Sequence, residues 1–163
     1  MGGVIFFGMG LLMYGAIFVF MKRLNRERDE DIQKELGDEI QLSFEVYFDR
    51  NYGLKATIGK GSVFLTNDAI IVANAASGFY AVAPVSFVIF SKEQKYRNRL
   101  PTLGFVSDFT VKFHQSSNNI TICKNNAGAL GFRGVTLRKL TKSNRDKFEE
   151  IYKNIIAKEN EKH

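Results

Sequence analysis

From Gly2 to Phe20 the chain carries no charged side chain, and Met21 extends the run before Lys22 and Arg23 end it. A helix of about 20 apolar residues is what a bilayer core demands, because lipid offers the backbone no hydrogen bonds and the helix must supply its own. The competing reading, a cleaved secretory signal, needs a basic start, a shorter apolar core and a small-x-small cleavage site. Nothing basic precedes Val4 apart from the amino terminus, and the run closes with Phe18-Val19-Phe20-Met21. Residues 1–21 therefore read as an uncleaved transmembrane anchor. Lys22, Arg23, Arg26 and Arg28 follow the run while no side-chain charge precedes it, so the positive-inside rule puts the N-terminus outside. The rest of the chain is then cytoplasmic, or on the matrix side in an organelle.

Within the run, Gly3 with Gly10 and Gly8 with Gly15 recur one heptad apart. Small residues let membrane helices approach closely, so these four glycines are the candidates for packing against a partner helix or a second copy. A true GxxxG is missing, and glycine is common in membrane spans for no such reason.

Residues 22–39 carry five basic and seven acidic side chains and read as a solvated juxtamembrane linker or helix, with Arg23/Glu27 and Glu27/Asp31 at i,i+4 spacing. Residues 40–163 hold 18 basic and 10 acidic side chains, so the positive charge of the chain resides in this part. A single cysteine, Cys123, excludes an internal disulfide and any multi-cysteine zinc site, which fits a reducing compartment.

The periodicity from Ile40 onward is mostly that of strands. Ile40 to Phe48 alternates apolar and polar positions, although a helix with Leu36, Ile40, Phe44, Tyr47 and Phe48 on one face is a rival. Ser62–Thr66 and Ala69–Ala73 flank Asn67-Asp68, a pair suited to a tight hairpin turn. Val85–Phe90 is a further strand, followed by a basic loop, Ser91–Leu100. Phe105, Phe109, Val111 and Phe113 line one long run, answered by Ile120 and Ile122 across the turn Gln115–Asn119, and Val135–Leu140 forms the last strand. At Ser143 the period changes: Phe148, Ile151, Tyr152, Ile155 and Ile156 make one helical stripe, with Ser143 placed to cap its start and Asp146 in the first turn.

About seven short strands closed by one amphipathic helix over 143–161 resemble the pleckstrin-homology-like superfold, and more closely its GRAM-like and bacterial PH-like branches. The likeness rests on Gly59-Lys60-Gly61-Ser62-Val63-Phe64-Leu65-Thr66-Asn67-Asp68-Ala69-Ile70-Ile71-Val72, on Pro84-Val85-Ser86-Phe87-Val88-Ile89, and on the terminal helix. It covers residues 40–160 and implies a mainly β, partly closed antiparallel barrel over 40–163. An eight-stranded lipid-carrier barrel fits less well, for want of strands. PH-like domains often read phosphoinositides through basic residues of their first hairpin. Taken as Thr66-Asn67-Asp68, that turn is acidic here.

As an enzyme the chain offers little. Gly59-Lys60-Gly61-Ser62 lacks the spacing of a phosphate loop and reads as a turn before a strand. His114 and Cys123 are at best diagonal neighbours on a hairpin, without an orienting third group. Asn119-Ile120-Thr121 is a glycosylation sequon in form only for a cytoplasmic domain. No catalytic residue, metal or cofactor is expected, and no nucleic-acid partner either, since Tyr96 alone interleaves the basic residues. Lys92, Lys95, Arg97 and Arg99 put four positive charges within eight residues and are the candidates for contact with acidic lipid headgroups or a protein partner. The function expected is that of a single-pass membrane protein whose PH-like domain serves as a scaffold or accessory subunit, binding through a strand edge or the groove beside its last helix. The alternative is a membrane-surface module that holds acidic lipid through the basic loop.

Overall fold

A computed structural model describes residues 2–52, 55–74, 87–97, 99–100, 102–128 and 131–160. The first element is one unbroken helix, α1 (Gly2–Leu36), followed by a 3-10 turn at Gly37–Glu39. Then come β1 (Ile40–Tyr52), β2 (Lys55–Thr66), β3 (Ile70–Asn74), β4 (Phe87–Phe90), β5 (Thr102–Val106), β6 (Phe109–Phe113), β7 (Ile120–Lys124), β8 (Phe132–Arg138) and the terminal helix α2 (Lys142–Asn160). The strands form one sheet in the order β5-β4-β3-β2-β1-β8-β7-β6, antiparallel except for β4 with β5.

The sheet curls until its two ends nearly meet. Phe90 on β4 lies edge-on to Phe109 on β6, with ring centroids 5.6 Å apart, although these strands are near opposite ends of the ladder. Inside, Val46, Phe48, Val63, Leu65, Ile70, Val72, Val88, Ile122, Val135 and Leu137 make the main core. α2 stops one open end of the curl with Phe148, Ile151 and Ile155, and Phe113 stacks on Phe148 and Tyr152 at about 6 Å. The cap of α2 is Thr141, whose Oγ1 accepts from the Asn144 amide at 3.1 Å, so the expected Ser143 cap lies two residues inside the helix.

The mainly β architecture with a C-terminal helix agrees with expectation, but the strands number eight. The long run through Phe105 and Phe113 breaks at Ser107-Asp108 into β5 and β6, which adds the eighth. Residues 55–61, including the supposed turn Gly59-Lys60-Gly61, lengthen β2 without adding a strand. The first hairpin is therefore β1–β2, and Thr66-Asn67-Asp68 joins β2 to β3, closed by Thr66 N–H to Ala69 C=O at 2.9 Å. Gly61 is required where β2 leaves β3: a Cβ there would sit 2.0 Å from the Ala73 carbonyl oxygen. The expected strand residues 85 and 86, with Pro84 of the sequence likeness, lie outside the described residues.

Alternation along β2, β3 and β4 feeds two cores. Residues facing away from the barrel, Phe64, Ile71, Ala73 and Ile89, join Ile32 and Leu36 of α1 with Tyr96 and Leu100 of the loop after β4. Strands apolar on both faces must be covered on both faces, and here the covering element is the C-terminal half of α1. Of the linker or helix expected over 22–39, residues 22–36 are helix, and one side of it is buried instead of solvated. The spacing Arg28, Ile32, Leu36 places one residue per turn on the sheet side, and all three are buried, while Glu27, Glu30, Asp31 and Lys34 around them are exposed.

Among the described residues no helix is long and apolar enough to cross a membrane. Of the run expected to span one, the side chains at 2–12, 14 and 21 lie outside the description. Of those described, Met13, Phe18, Val19 and Phe20 are 56–67% exposed.

The docking of α1 is directly measurable. Ile32→Ala and Leu36→Ala should each destabilise the domain by about 2–4 kcal/mol in chemical denaturation, the usual cost of truncating a fully buried aliphatic side chain. A change within about 0.5 kcal/mol, as for an exposed site, would show that the helix is a free stalk.

Candidate functional site at the helix–sheet junction

The charged residues converge where α1 ends against the sheet. The turn of loop containing Gln94–Tyr96 folds back over β3 and β4, held by Ser91, whose hydroxyl donates to the Asp68 carbonyl at 2.7 Å while its backbone N–H reaches Val106. This brings the basic loop onto the acidic end of α1. Arg99 donates through Nε to Glu35 at 3.0 Å, and through its terminal nitrogens to Glu39 and to the Glu35 carbonyl oxygen. That carbonyl is one of the last of the helix, left without an intrahelical partner, so Arg99 caps α1 from a distant segment.

Lys95 sits between two carboxylates, Asp68 at 3.1 Å and Glu39 at 3.6 Å, and over the Tyr96 ring at 4.8 Å. Tyr96 is fully buried, and its hydroxyl donates to Glu39 at 2.9 Å and meets the Thr66 hydroxyl at 3.0 Å. Thr66 Oγ1 in turn accepts from the Asp68 and Ala69 amides, which locks the β2–β3 turn. One network thus ties the helix end, the turn and the basic loop together.

The titration behaviour follows from these contacts. The Arg99 hydrogen bond holds the Glu39 carboxyl below its usual value of 4.5, against a smaller opposing effect of burial. For Lys95, burial works against the ammonium, but the hydrogen bonds to Asp68 and Tyr96 outweigh it and the pKa is raised. Burial raises the Tyr96 phenol. Arg99 is raised by Glu39 and then Glu35.

Of the four basic residues expected to face lipid or a partner, Lys95 and Arg99 therefore face the protein's own carboxylates, while Lys92 and Arg97 are exposed. The sequence could not show this, because the acids that engage the loop lie 27 to 64 positions upstream. Of the glycines expected to pack, Gly15 has open space around it and Gly3, Gly8 and Gly10 lie outside the described side-chain environments. His114 and Cys123 do not meet: Cys123 pairs with Thr110 of β6, whereas His114, just past the end of that strand, bonds Thr121 at 2.8 Å. Among the described residues no three His, Cys, Asp or Glu side chains are grouped to hold a metal.

A second charged feature lies further up α1, where Arg28 meets Ser62 of β2. Arg28, 4% exposed, donates to Asp29 at 2.6 Å and to the Ser62 hydroxyl at 3.1 Å, and Ser62 donates to Asp29 at 3.2 Å. A buried guanidinium is tolerable only with such partners. From sequence, Arg28 stood out solely for the charge bias beside the apolar run.

No protein-family model matches the chain, and no curated protein matches it. Among solved structures, the chain is similar to one described as the complex of PDZ-RhoGEF DH/PH domains with GTP-gamma-S activated RhoA. The TM-score is 0.38 with 10% identity, over 70% of this chain and 29% of the length of that one. A likeness of that degree carries no argument.

Because Glu39 titrates lower in the folded state than in the unfolded, its contribution is complete above the ordinary carboxylate range and is lost as pH falls through the lowered value. Stability should accordingly drop between about pH 5 and pH 3, and Glu39→Gln should flatten part of that slope. Arg99→Gln should cost about 1–2 kcal/mol at neutral pH, the range for partly exposed hydrogen bonds to charged groups. In hydrogen exchange the loss should appear first in the last turn of α1.

Proposed function

We propose that this chain is a membrane-tethered, non-catalytic interaction module. Its PH-like domain, of the GRAM-like and bacterial PH-like kind, faces the cytoplasm or the matrix and serves as a scaffold or accessory subunit of a membrane complex. The observation that carries the reading is the continuity of α1. The same helix that packs on the sheet through Ile32 and Leu36, bonds Ser62 of β2 through Arg28 and bonds Arg99 of the loop through Glu35 runs on to Met13, Phe18, Val19 and Phe20, which are exposed and apolar. A lipid bilayer is the partner that suits an uncharged helical run of this length. The PH-like part of the proposal is supported by the order of pairing. Four consecutive antiparallel strands, β1–β4, and three further ones, β6–β8, meet at the β1–β8 seam, and the C-terminal helix stops the open end.

Held by a rigid helix rather than a flexible tether, the domain presents fixed surfaces to a neighbour in the membrane. Its sheet ends at β5 and β6, and such edges accept an added strand from a partner. Direct binding of acidic lipid through the loop is the weaker reading, since Lys95 and Arg99 are engaged internally.

Two outcomes test the proposal. The full chain should stay in the membrane pellet after alkaline carbonate washing, with residues 40–163 digested only when protease is added on the cytoplasmic side. Release by carbonate would sink the tether. In mild detergent the protein should then copurify with a partner or a second copy at fixed ratio, and a strictly monomeric, partner-free preparation would count against the scaffold role.

A further inference from the structure

The side chain of Arg145, in the first turn of α2, is 20% exposed, and its Nε is buried without a hydrogen-bond partner. The two carboxylates beside it, Asp146 at 3.6 Å and Glu149 at 3.8 Å, stand beyond hydrogen-bond reach. Glu149 is held instead by Lys153 at 2.9 Å. A guanidinium drawn this far out of water ordinarily has its donors filled. Arg28 has Asp29 and Ser62 for that purpose, whereas Arg145 lies over the Phe113 ring, 5.9 Å from its centroid.

Phe113 ends β6, and β6 ends the ladder, paired with β7 and with no other strand. At its start the seam is shut, because Phe90 covers Phe109. Further along, Val111 and Phe113 point the same way and stay partly exposed, while their partners on β7, Ile122 and Ile120, are fully buried. That gradient is what a missing neighbour strand produces. On the far side of the opening runs α2, where Arg145, Tyr152 and Ile156 fall along one side of the helix. Tyr152 meets Phe113 at 6.0 Å, and Ile156 is 36% exposed. An open backbone edge, an apolar strip and a guanidinium with unused donors therefore come together around Phe113.

We propose that this β6–α2 groove binds an extended segment of a protein partner that carries an aspartate or glutamate, the segment adding as a strand to β6 and its carboxylate accepting from Arg145. The edge supplies main-chain bonds, and a guanidinium matches a carboxylate with two parallel donors. Alternate side chains of a strand share a face, so an acid and an apolar residue two positions away reach Arg145 and the Phe113–Tyr152–Ile156 strip together. A free anion would use Arg145 and leave the edge and the strip empty. The inference names a partner for the interaction module above and rests on that reading.

The probe is a library of random peptides displayed on phage and selected on the full-length protein in detergent. Selected peptides should share an acidic residue with an apolar one two positions away, and their synthetic forms should bind saturably. Arg145→Gln should weaken them about tenfold or more, as for the loss of one charge-assisted pair. It should not lower the melting temperature, because the fold loses no hydrogen bond with it. Lys147→Gln, exposed on the other side of α2, should leave affinity unchanged. If Arg145→Gln does melt lower, the wild type decides: replacing the peptide's acid by its amide should cost the same tenfold. Methylating alternate peptide amides should abolish binding in one phase of the alternation and spare it in the other. No selected peptide, selected peptides without an acid, or indifference to the acid-to-amide change overturns the proposal, and indifference to methylation overturns strand addition. Copurification of a partner that Arg145→Gln retains in full upholds the scaffold role and overturns this groove as its site. Acid-dependent peptide binding by a protein that purifies alone upholds the groove and counts against the scaffold role.

Discussion

The structure depends on the fact that β2, β3 and β4 are apolar on both faces. Curling the sheet buries Val63, Leu65, Ile70, Val72, Val88 and Phe90 inside, but it leaves Phe64, Ile71, Ala73 and Ile89 pointing out. A sheet cannot leave such a surface wet without inviting association. The chain covers it with Ile32 and Leu36 from α1 and with Tyr96 and Leu100 from the loop after β4. That requirement makes the end of α1 part of the domain.

Once the helix and the loop lie on the same face, their opposite charges must meet. The carboxylates of Glu35 and Glu39 end the helix where its dipole disfavours them, and Lys95 and Arg99 neutralise them from the loop. The buried Tyr96 hydroxyl is satisfied by the same carboxylate, so apolar docking and polar satisfaction occur in one place. The joint between helix and domain is stiff for this reason, and whatever surrounds the N-terminal half of α1 also sets the orientation of the barrel.

Much of the architecture was legible locally. The Asn67-Asp68 turn, the pairing of Phe113 with Ile120 and Val111 with Ile122, and the stripe of the last helix all follow from periods of two and 3.6 and from turn chemistry. The break at Ser107-Asp108 was not, and neither was the length of β2, because Gly59 and Gly61 look like turn residues in sequence. In the fold Gly61 is the point where the Ala73 carbonyl leaves no room for a Cβ, which a pattern of letters does not reveal. The candidate sites were half legible. The basic loop stood out by composition, yet its partners and the burial of Arg28 against Ser62 did not, since Ser62 is 34 positions from Arg28 and Glu39 is 60 from Arg99.

The sequence by itself determined most of the strands, the terminal helix, the uncharged run and the segregation of positive charge into residues 40–163, because these rest on periodicity and composition within short windows. Only the tertiary structure decided that residues 28–36 belong to the domain, that Lys95 and Arg99 serve as internal counter-ions, and that Arg28 is buried against Ser62. The physical reason is that an ion pair or a buried face is defined by what stands opposite it, and here the opposing groups come from segments that only the curl of the sheet brings together.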